Sequence, residues 1–193
     1  MKGIGFVIAR ALSKVITGAR IFIYYILSDN KVSVGCFRQP VLSKGRGEIL
    51  IEKDVELGVE PSPFFFSSYT YLEARDKGAT ISIGENTKCN NSLTVIAYNA
   101  DISIGNYCLI GASVSIVNSD FHDIKPCNRF DPKEVKSKDV VIENNVFIGN
   151  GVSILKGVTI GKNSVIASGA VVTKSFPNNS IVAGNPASLV GKL

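Results

Sequence analysis

A six-residue spacing of aliphatic side chains constrains this 193-residue chain more than any other feature. In the C-terminal third the aliphatic residue recurs at every sixth position, at Ile142, Ile148, Ile154, Ile160, Ile166 and Val172. The same phase occurs earlier, at Ile51, Leu57, Ile83, Cys89, Val95, Ile104, Ile110 and Ile116. A fixed period of this kind is the signature of a repeat architecture, so we expect a stack of short repeats over most of the chain.

Each six-residue unit has the pattern of a short strand followed by a turn. The aliphatic side chain points inward, and the next residue is small where the backbone bends, as at Gly149, Gly161 and Ala167. Small or apolar residues also lie four positions after the aliphatic one, as at Val152 and Ala170. Three such strands close one triangular coil, and stacked coils bury a continuous aliphatic column. The predicted fold class is all-β. A β-sandwich is disfavoured because its strands would alternate with a period of two.

The first 31 residues have a different pattern. This stretch is apolar, but Arg10, Lys14 and Arg20 interrupt it, which argues against a signal peptide or a membrane span. On a helical wheel these basic residues share one polar arc with Ser13 and Thr17. We therefore predict an N-terminal amphipathic helix and connector in residues 1–31, and the repeat domain in residues 32–193. Two roles are open for the helix: contact with an anionic membrane surface, or packing on its own domain or on a neighbouring subunit.

One break in the six-residue phase dominates the chain: a polar stretch over about residues 118–139, which we interpret as an extended loop. Insertions at the corner of a solenoid commonly carry function. This one contains the only histidine of the chain, His122, flanked by Asp120 and Asp123. A neutral imidazole can take a proton from a hydroxyl group near neutral pH, so His122 is the candidate general base. A nearby carboxylate or a backbone carbonyl must hold the second ring nitrogen. Asp120 and Asp123 are candidates, and the spacing does not show which of them, if either, reaches it.

The long run of hexads over about residues 32–190 resembles the hexapeptide-repeat acyltransferase family. The resemblance implies a single-stranded left-handed parallel β-helix, a homotrimer with active sites between subunits, and acetyl-coenzyme A as the acyl donor. The segment IGASVSIVNSDFH, residues 110–122, resembles the place of the catalytic histidine in O-acetyltransferases of galactosides, maltose, capsule and lipopolysaccharide, with about one residue more. The implied function is transfer of acetyl to a sugar hydroxyl, in surface polysaccharide or lipopolysaccharide biosynthesis.

The same resemblance implies a set of ligand-binding residues. Asn90, in KCNNSLTV, is similar to the asparagine that binds a sugar hydroxyl, although asparagine is also a common turn residue. The C-terminal segment resembles the acetyl-coenzyme A side of these enzymes, and the implied cofactor-binding positions are Phe147, Asn150, Ala167, Ser168, Thr173 and Lys174. Phe147 stands where tryptophan is frequent. Ser188 stands where a phosphate-binding arginine is common, which implies weaker binding of the 3′-phosphate or a substitute role for Lys192.

Several classes of function are disfavoured by composition. The four cysteines form no CxxC pair, which argues against a zinc site or a disulfide framework and fits a reducing cytoplasm. The net charge of +5 includes no dense Lys/Arg block, so no nucleic-acid partner is expected. A single histidine excludes a three-histidine metal site. We expect no metal, a sugar or polysaccharide precursor as acceptor, and a location in the cytoplasm or at the inner face of the membrane. An N-acetyltransferase of an amino-sugar nucleotide and a non-catalytic scaffold remain the alternatives.

Overall fold

A computed structural model describes residues 4–30, 32, 36–131 and 134–193 of the chain. The helix α1 spans Ile4–Leu27, and a single 3₁₀ turn spans Pro126–Asn128. The strands are β1 (Cys36–Phe37), β2 (Val41–Lys44), β3 (Glu48–Ile51), β4 (Glu56–Leu57), β5 (Thr70–Ala74), β6 (Thr80–Ile83), β7 (Lys88–Cys89), β8 (Thr94–Ala97), β9 (Ile102–Ile104), β10 (Leu109–Ile110), β11 (Ser115–Val117), β12 (Val140–Ile142), β13 (Phe147–Ile148), β14 (Ser153–Ile154), β15 (Thr159–Ile160), β16 (Val165–Ile166), β17 (Val171–Val172), β18 (Ser180–Gly184) and β19 (Ala187–Lys192).

The strands form the three faces of a prism. The eight-stranded face has the order β1-β4-β7-β10-β13-β16-β18-β19, the six-stranded face β17-β14-β11-β8-β5-β2, and the five-stranded face β15-β12-β9-β6-β3. Successive strands of the chain pass from one face to the next, and neighbours within a face are parallel except for the final pair, β18 and β19. This is the left-handed parallel β-helix that the six-residue period predicts, with the loop between β11 and β12 as its large excursion.

The hexad aliphatics form the core of the prism. Ile104, Ile142 and Ile160 are aligned residue for residue on one face, and the same alignment recurs for the aliphatics of the other two faces. All the predicted hexad positions, from Ile51 to Val172, are at most 7% exposed. Cys89 and Cys108 are fully buried. The inward direction of these side chains is therefore confirmed.

The small residue after each aliphatic is required by the spacing of the coils. A Cβ atom added to Gly111 would lie 2.7 Å from the Asn150 nitrogen, and one added to Gly149 would lie 2.6 Å from the Ser168 nitrogen. Both distances are shorter than real Cβ contacts, because the backbone of the next coil passes directly over the glycine. Close stacking of coils, together with the bend in the chain, thus explains this part of the sequence pattern.

Helix α1 packs on its own domain through its polar arc. Ser13 Oγ donates a hydrogen bond of 2.9 Å to Glu60 Oε1, and the Arg20 guanidinium donates to the carbonyls of Phe65 and Ser68 at 2.9 and 2.6 Å. The opposite side of the helix is exposed and apolar, and carries Ile8, Leu12, Val15, Phe22, Ile23 and Ile26. Among the described residues no helix combines the length and the apolarity needed to cross a membrane.

Candidate active site

His122 lies at the start of the loop, just beyond the edge where the six-stranded and five-stranded faces meet. We call this the loop edge. The imidazole is exposed, and its Nδ1 lies 3.3 Å from the backbone carbonyl oxygen of Arg129. Since a carbonyl oxygen can only accept, Nδ1 must carry the proton for this hydrogen bond. The neutral ring then keeps the lone pair on Nε2, which is the arrangement that a general base requires.

The two aspartates beside His122 are engaged elsewhere. The Asp120 carboxylate is hydrogen-bonded to Lys156 Nζ, which follows β14 on the same edge. Asp123 is buried, and its carboxylate accepts hydrogen bonds of 2.9 Å from the Lys125 amide and from Asn128 Nδ2. These donors hold the pKa of Asp123 below its usual value. Both carboxylates therefore shape the loop, and the group that contacts the imidazole is the Arg129 carbonyl.

The neck of the loop is closed by backbone pairing. Ser119 and Ser137 form an antiparallel bridge, the Asp120 amide donates to the Lys136 carbonyl at 3.1 Å, and the Lys138 amide donates to the Asn118 carbonyl at 2.9 Å. These contacts fix where the chain leaves the solenoid and where it returns. His122 therefore projects from a loop whose two ends are anchored.

The cavity beneath the loop is too small for a substrate. It has a volume of about 50 Å³ and is lined by Asp120, His122, Asp123, Ile124, Lys125, Glu134 and Lys136. Ligand sites in proteins usually measure roughly 300–1,000 Å³.

The predicted ligand residues are divided between two edges of the six-stranded face. Asn90, Asn150, Ala167 and Ser168 lie on its other edge, where it meets the eight-stranded face. Backbone hydrogen bonds join their coils there, as from the Asn90 amide to the Ile110 carbonyl and from the Gly169 amide to the Asn150 carbonyl. We call this the asparagine edge. Thr173 and Lys174 follow β17 on the loop edge. Lys174 Nζ lies 5.9 Å from the centroid of the Phe176 ring.

The side chains on the asparagine edge have local structural contacts. Asn90 Oδ1 accepts from the Asn91 amide at 2.7 Å, as in an Asx turn, and Asn150 Oδ1 accepts from the Ala112 amide at 2.8 Å. The turn role considered for Asn90 is thus present, and its role as a sugar ligand stays a prediction. Phe147 lies nearby on the outer side of the eight-stranded face and is 49% exposed.

One chain does not bring the two edges together. Asn150 and Lys156, one on each edge, are six positions apart in the chain, which is at most about 20 Å of backbone. Within one chain, His122 and the predicted cofactor-binding residues Asn150 and Ser168 therefore lie at opposite edges of the six-stranded face.

Two contributors to the site were absent from the sequence-based prediction. The first is Arg129, which acts through its carbonyl oxygen; every residue has one, so no sequence signal identifies it. The second is Lys156, whose partner Asp120 is 36 residues away. Lys156 lies in a regular hexad, so the sequence does not distinguish it from other surface lysines.

The fold and this site define a class of protein, and comparisons with known proteins agree. The family model described as bacterial transferase hexapeptide (six repeats) matches residues 139–174. The crystal structure of the polysialic acid O-acetyltransferase OatWY is 30% identical, with a TM-score of 0.65 over 83% of this chain and 74% of that one. The chain therefore belongs to the hexapeptide-repeat acyltransferase family.

Two further relatives carry similar names. The structure of the polySia-specific acetyltransferase NeuO is 29% identical and has a TM-score of 0.67, covering 83% of this chain and 68% of that one. A polysialic acid O-acetyltransferase of Escherichia coli O1:K1 / APEC is 36% identical over 118 residues, which are 59% of this chain. The matched region spans only 37% of the length of that E. coli protein.

Proposed function

We propose that this chain is an acetyl-coenzyme A-dependent O-acetyltransferase that modifies a sugar hydroxyl of a surface polysaccharide or lipopolysaccharide, with His122 as general base. The observation that carries the proposal is the His122–Arg129 contact, which leaves Nε2 to accept a proton. The relatives named as polysialic acid O-acetyltransferases support a polysaccharide acceptor.

The proposed reaction is a direct transfer. His122 Nε2 takes the proton of the acceptor hydroxyl while the hydroxyl oxygen forms a bond to the thioester carbonyl carbon. The tetrahedral oxyanion then collapses, the carbon–sulfur bond breaks, and the proton held by His122 passes to the departing sulfur. Asp120 and Asp123 contribute by holding the loop in place.

We propose the asparagine edge as part of the donor site. Asn150 and Ser168 are both exposed, and they stand one coil apart. Asn150 Oδ1 already accepts a hydrogen bond, so Nδ2 is the atom of this side chain that remains available to donate to an oxygen of the pantetheine arm. The other proposed donor contacts are Phe147, Ala167, Thr173 and Lys174. The ammonium of Lys174 would offset phosphate charge.

We propose that the acceptor lies beside Asn90. A cleft of about 360 Å³ includes Ser92, which is two positions after Asn90, and is lined by Ser67, Ser68, Tyr69, Tyr71, Ser92 and Thr94. Hydroxyl groups beside aromatic rings can hydrogen-bond a sugar and cover its apolar face. None of these lining residues is ionisable near neutral pH, which suits a hydroxyl-rich ligand better than a phosphate.

We propose that the active enzyme is a homotrimer. In a closed ring each subunit can set its loop edge against the asparagine edge of the next, which unites the two halves of the site. The test mixes two variants, His122→Ala and Asn150→Ala, each on its own edge. Co-assembly should restore part of the activity that each variant lacks, because one interface of a mixed trimer carries both native residues. Mixtures no more active than their components would contradict a shared site.

We propose that α1 makes peripheral contact with the inner face of an anionic membrane, and that the enzyme is cytoplasmic. The apolar side of the helix faces away from the domain, Arg10 and Lys14 of the polar arc are exposed, and the helix contains no acidic residue. The protein should sediment with phosphatidylglycerol vesicles and less with phosphatidylcholine vesicles. Val15→Asp should abolish this binding, whereas a helix covered by another subunit would leave binding absent in both proteins.

The central test measures thiol release from acetyl-coenzyme A with polysialic acid as the first acceptor. His122→Ala should lower kcat by about two to four orders of magnitude, the scale of general-base catalysis. Arg129→Ala is the matched control, since it removes the side chain but keeps the carbonyl, and it should retain most of the activity. Equal rates for His122→Ala and the native protein would contradict the mechanism. Transfer to amino sugars but not to hydroxyl acceptors would indicate N-acetylation.

A further inference from the structure

Phe121, the residue before His122, has an uncommon backbone conformation. Its φ angle is 57°, in the left-handed region that L side chains other than asparagine and aspartate seldom adopt. Such a conformation persists when the surroundings fix it. The Phe121 amide donates to Ser119 Oγ at 3.1 Å, which fixes one side of the residue.

The other side of Phe121 is fixed by a cation. The guanidinium carbon of Arg75 lies 4.7 Å from the centroid of the Phe121 ring, within the range of a cation–π contact. Arg75 follows β5, two coils away from the loop on the same face of the solenoid. It spans the intervening coil, where the Tyr98 ring centroid is 6.0 Å from the guanidinium.

Arg75 is itself held rigidly. Its Nε and Nη2 donate to the two carboxylate oxygens of Glu73 at 3.0 and 3.1 Å, a bidentate pair. The Tyr71 hydroxyl donates to Glu73 Oε2 at 3.1 Å, and the Glu73 side chain is only 15% exposed. Two side chains of β5, Glu73 directly and Tyr71 through Glu73, thus fix the plane and the position of the guanidinium on which the loop packs.

We infer that Arg75 is a positioning residue for His122: its guanidinium holds the Phe121 ring, and through it the start of the loop, so that the imidazole keeps its hydrogen bond to Arg129. Arg75 itself contacts neither the imidazole nor its carbonyl partner in the described hydrogen bonds. The His122 hydrogen bond is long, at 3.3 Å, so a small shift of the Phe121 backbone breaks it. This inference rests on the proposed function only in naming His122 as the base.

The alternative is that Arg75 and Glu73 form an ordinary surface ion pair. The chain offers a matched control for it. Arg38 Nε pairs with Glu56 Oε2 at 2.9 Å on the eight-stranded face, away from the loop. For the ring, the control is Phe130, a fully exposed phenylalanine of the same loop.

The first measurement is steady-state kinetics of the full-length enzyme. Arg75→Met and Phe121→Leu should lower kcat by about 10- to 100-fold, the effect of misplacing a reacting group by an ångström or so, with both KM values within about twofold of native. Arg75→Lys, which keeps a cation, and Phe121→Tyr, which keeps a ring, should recover part of the loss. Arg38→Met and Phe130→Leu should leave kcat unchanged.

The second measurement does not depend on activity. Because His122 is the only histidine, its two ring nitrogens give single ¹⁵N resonances that report the tautomer. In the native protein at a pH where the ring is neutral, Nδ1 should carry the proton. In Arg75→Met the Nε2–H tautomer should gain population, because the carbonyl partner is lost. Arg38→Met should give the native spectrum.

The outcomes separate the two proposals. Native kcat and a native tautomer in Arg75→Met would overturn the positioning role and leave His122 as base untouched. An active His122→Ala enzyme would contradict the base, whereas the tautomer change would still support the role of Arg75 in holding the ring. Equal losses of kcat in Arg75→Met and Arg38→Met would identify a general effect of ion-pair removal and would also overturn the inference.

Discussion

The regular coils of residues 139–174 and the loop of about residues 118–139 are neighbours in the chain but are ordered by different forces. In the coils every sixth side chain is buried, and apolar contact with the coils above and below decides its position. In the loop most of the described residues are exposed. The chain there is fixed by backbone pairing at the neck and by hydrogen bonds to the Asp123 carboxylate. Stability therefore depends mainly on the coils and the chemistry of the site mainly on the loop.

The largest expected effect concerns a coil residue. Ile142→Ala removes a side chain that is 1% exposed and lies between Ile104 and Ile160, so the free energy of unfolding should fall by about 2–5 kcal/mol. Chemical denaturation measures this change. Val141→Ala, on the outward side of the same strand, is the control and should cost much less. At temperatures where Ile142→Ala stays folded, its kcat should be close to native. A large loss of kcat without a loss of stability would contradict the assignment of stability to the coils and of the proposed chemistry to the loop.

The next effect concerns the loop. Asp123→Ala removes the acceptor of the Lys125 amide and of Asn128, and should lower kcat by about tenfold, as for other groups that orient a reacting residue. The melting temperature should change little, because few apolar contacts depend on this carboxylate. Asp131→Ala, at an exposed position of the same loop, is the control. A melting temperature reduced as much as in Ile142→Ala would show that the loop contributes to the core.

The same contacts predict a response to acid. Since hydrogen bonds keep the pKa of Asp123 below its usual value of about 3.9, they stabilise the loop fully above that pH. The contribution is lost as the pH falls through the lowered pKa. Cleavage of the loop by pepsin should accelerate over this acidic range in the native protein. In Asp123→Ala the loop should be cleaved rapidly over the whole range.

The smallest effect is a difference in thiol reactivity. Cys127, in the 3₁₀ turn of the loop, is exposed, whereas Cys89 and Cys108 are buried in the coils. Burial raises the pKa of Cys89 to about 12 and raises that of Cys108. A maleimide reagent should label Cys127 and the exposed Cys36 in the folded protein, and label the other two only with unfolding. Mass spectrometry of labelled peptides checks this, and early labelling of Cys89 would indicate that the coils open locally.

Candidate residues of the site can be listed from the sequence, but their arrangement cannot. His122 is conspicuous because it is the only histidine and lies in the longest segment between two strands. The partner of its ring is not conspicuous, since a carbonyl oxygen belongs to every residue and Arg129 reaches it only through the course of the loop. The two flanking aspartates were reasonable candidates by proximity in sequence. In the folded chain each has a partner of its own.

The packing of helix α1 is a second feature that could not be predicted from the sequence alone. Its amphipathic pattern predicts a polar side and an apolar side, and Ser13 and Arg20 fall on the polar one. Pattern alone does not state which side meets the domain. In the structure the polar side does, because Glu60 and two backbone carbonyls offer acceptors there that the apolar side could not satisfy.

The sequence by itself determined the repeat, its inward side chains and the place where it breaks. That information is local: a hexad encodes one strand and one turn, and each coil repeats the same burial requirement. Only the tertiary structure decided which groups meet. Arg75 and Phe121 are 46 residues apart in the chain. Their side chains meet because only one coil of the stack lies between them. The division of the predicted ligand residues between two edges follows from the same folding, since the edge on which a residue lies depends on how the whole prism closes.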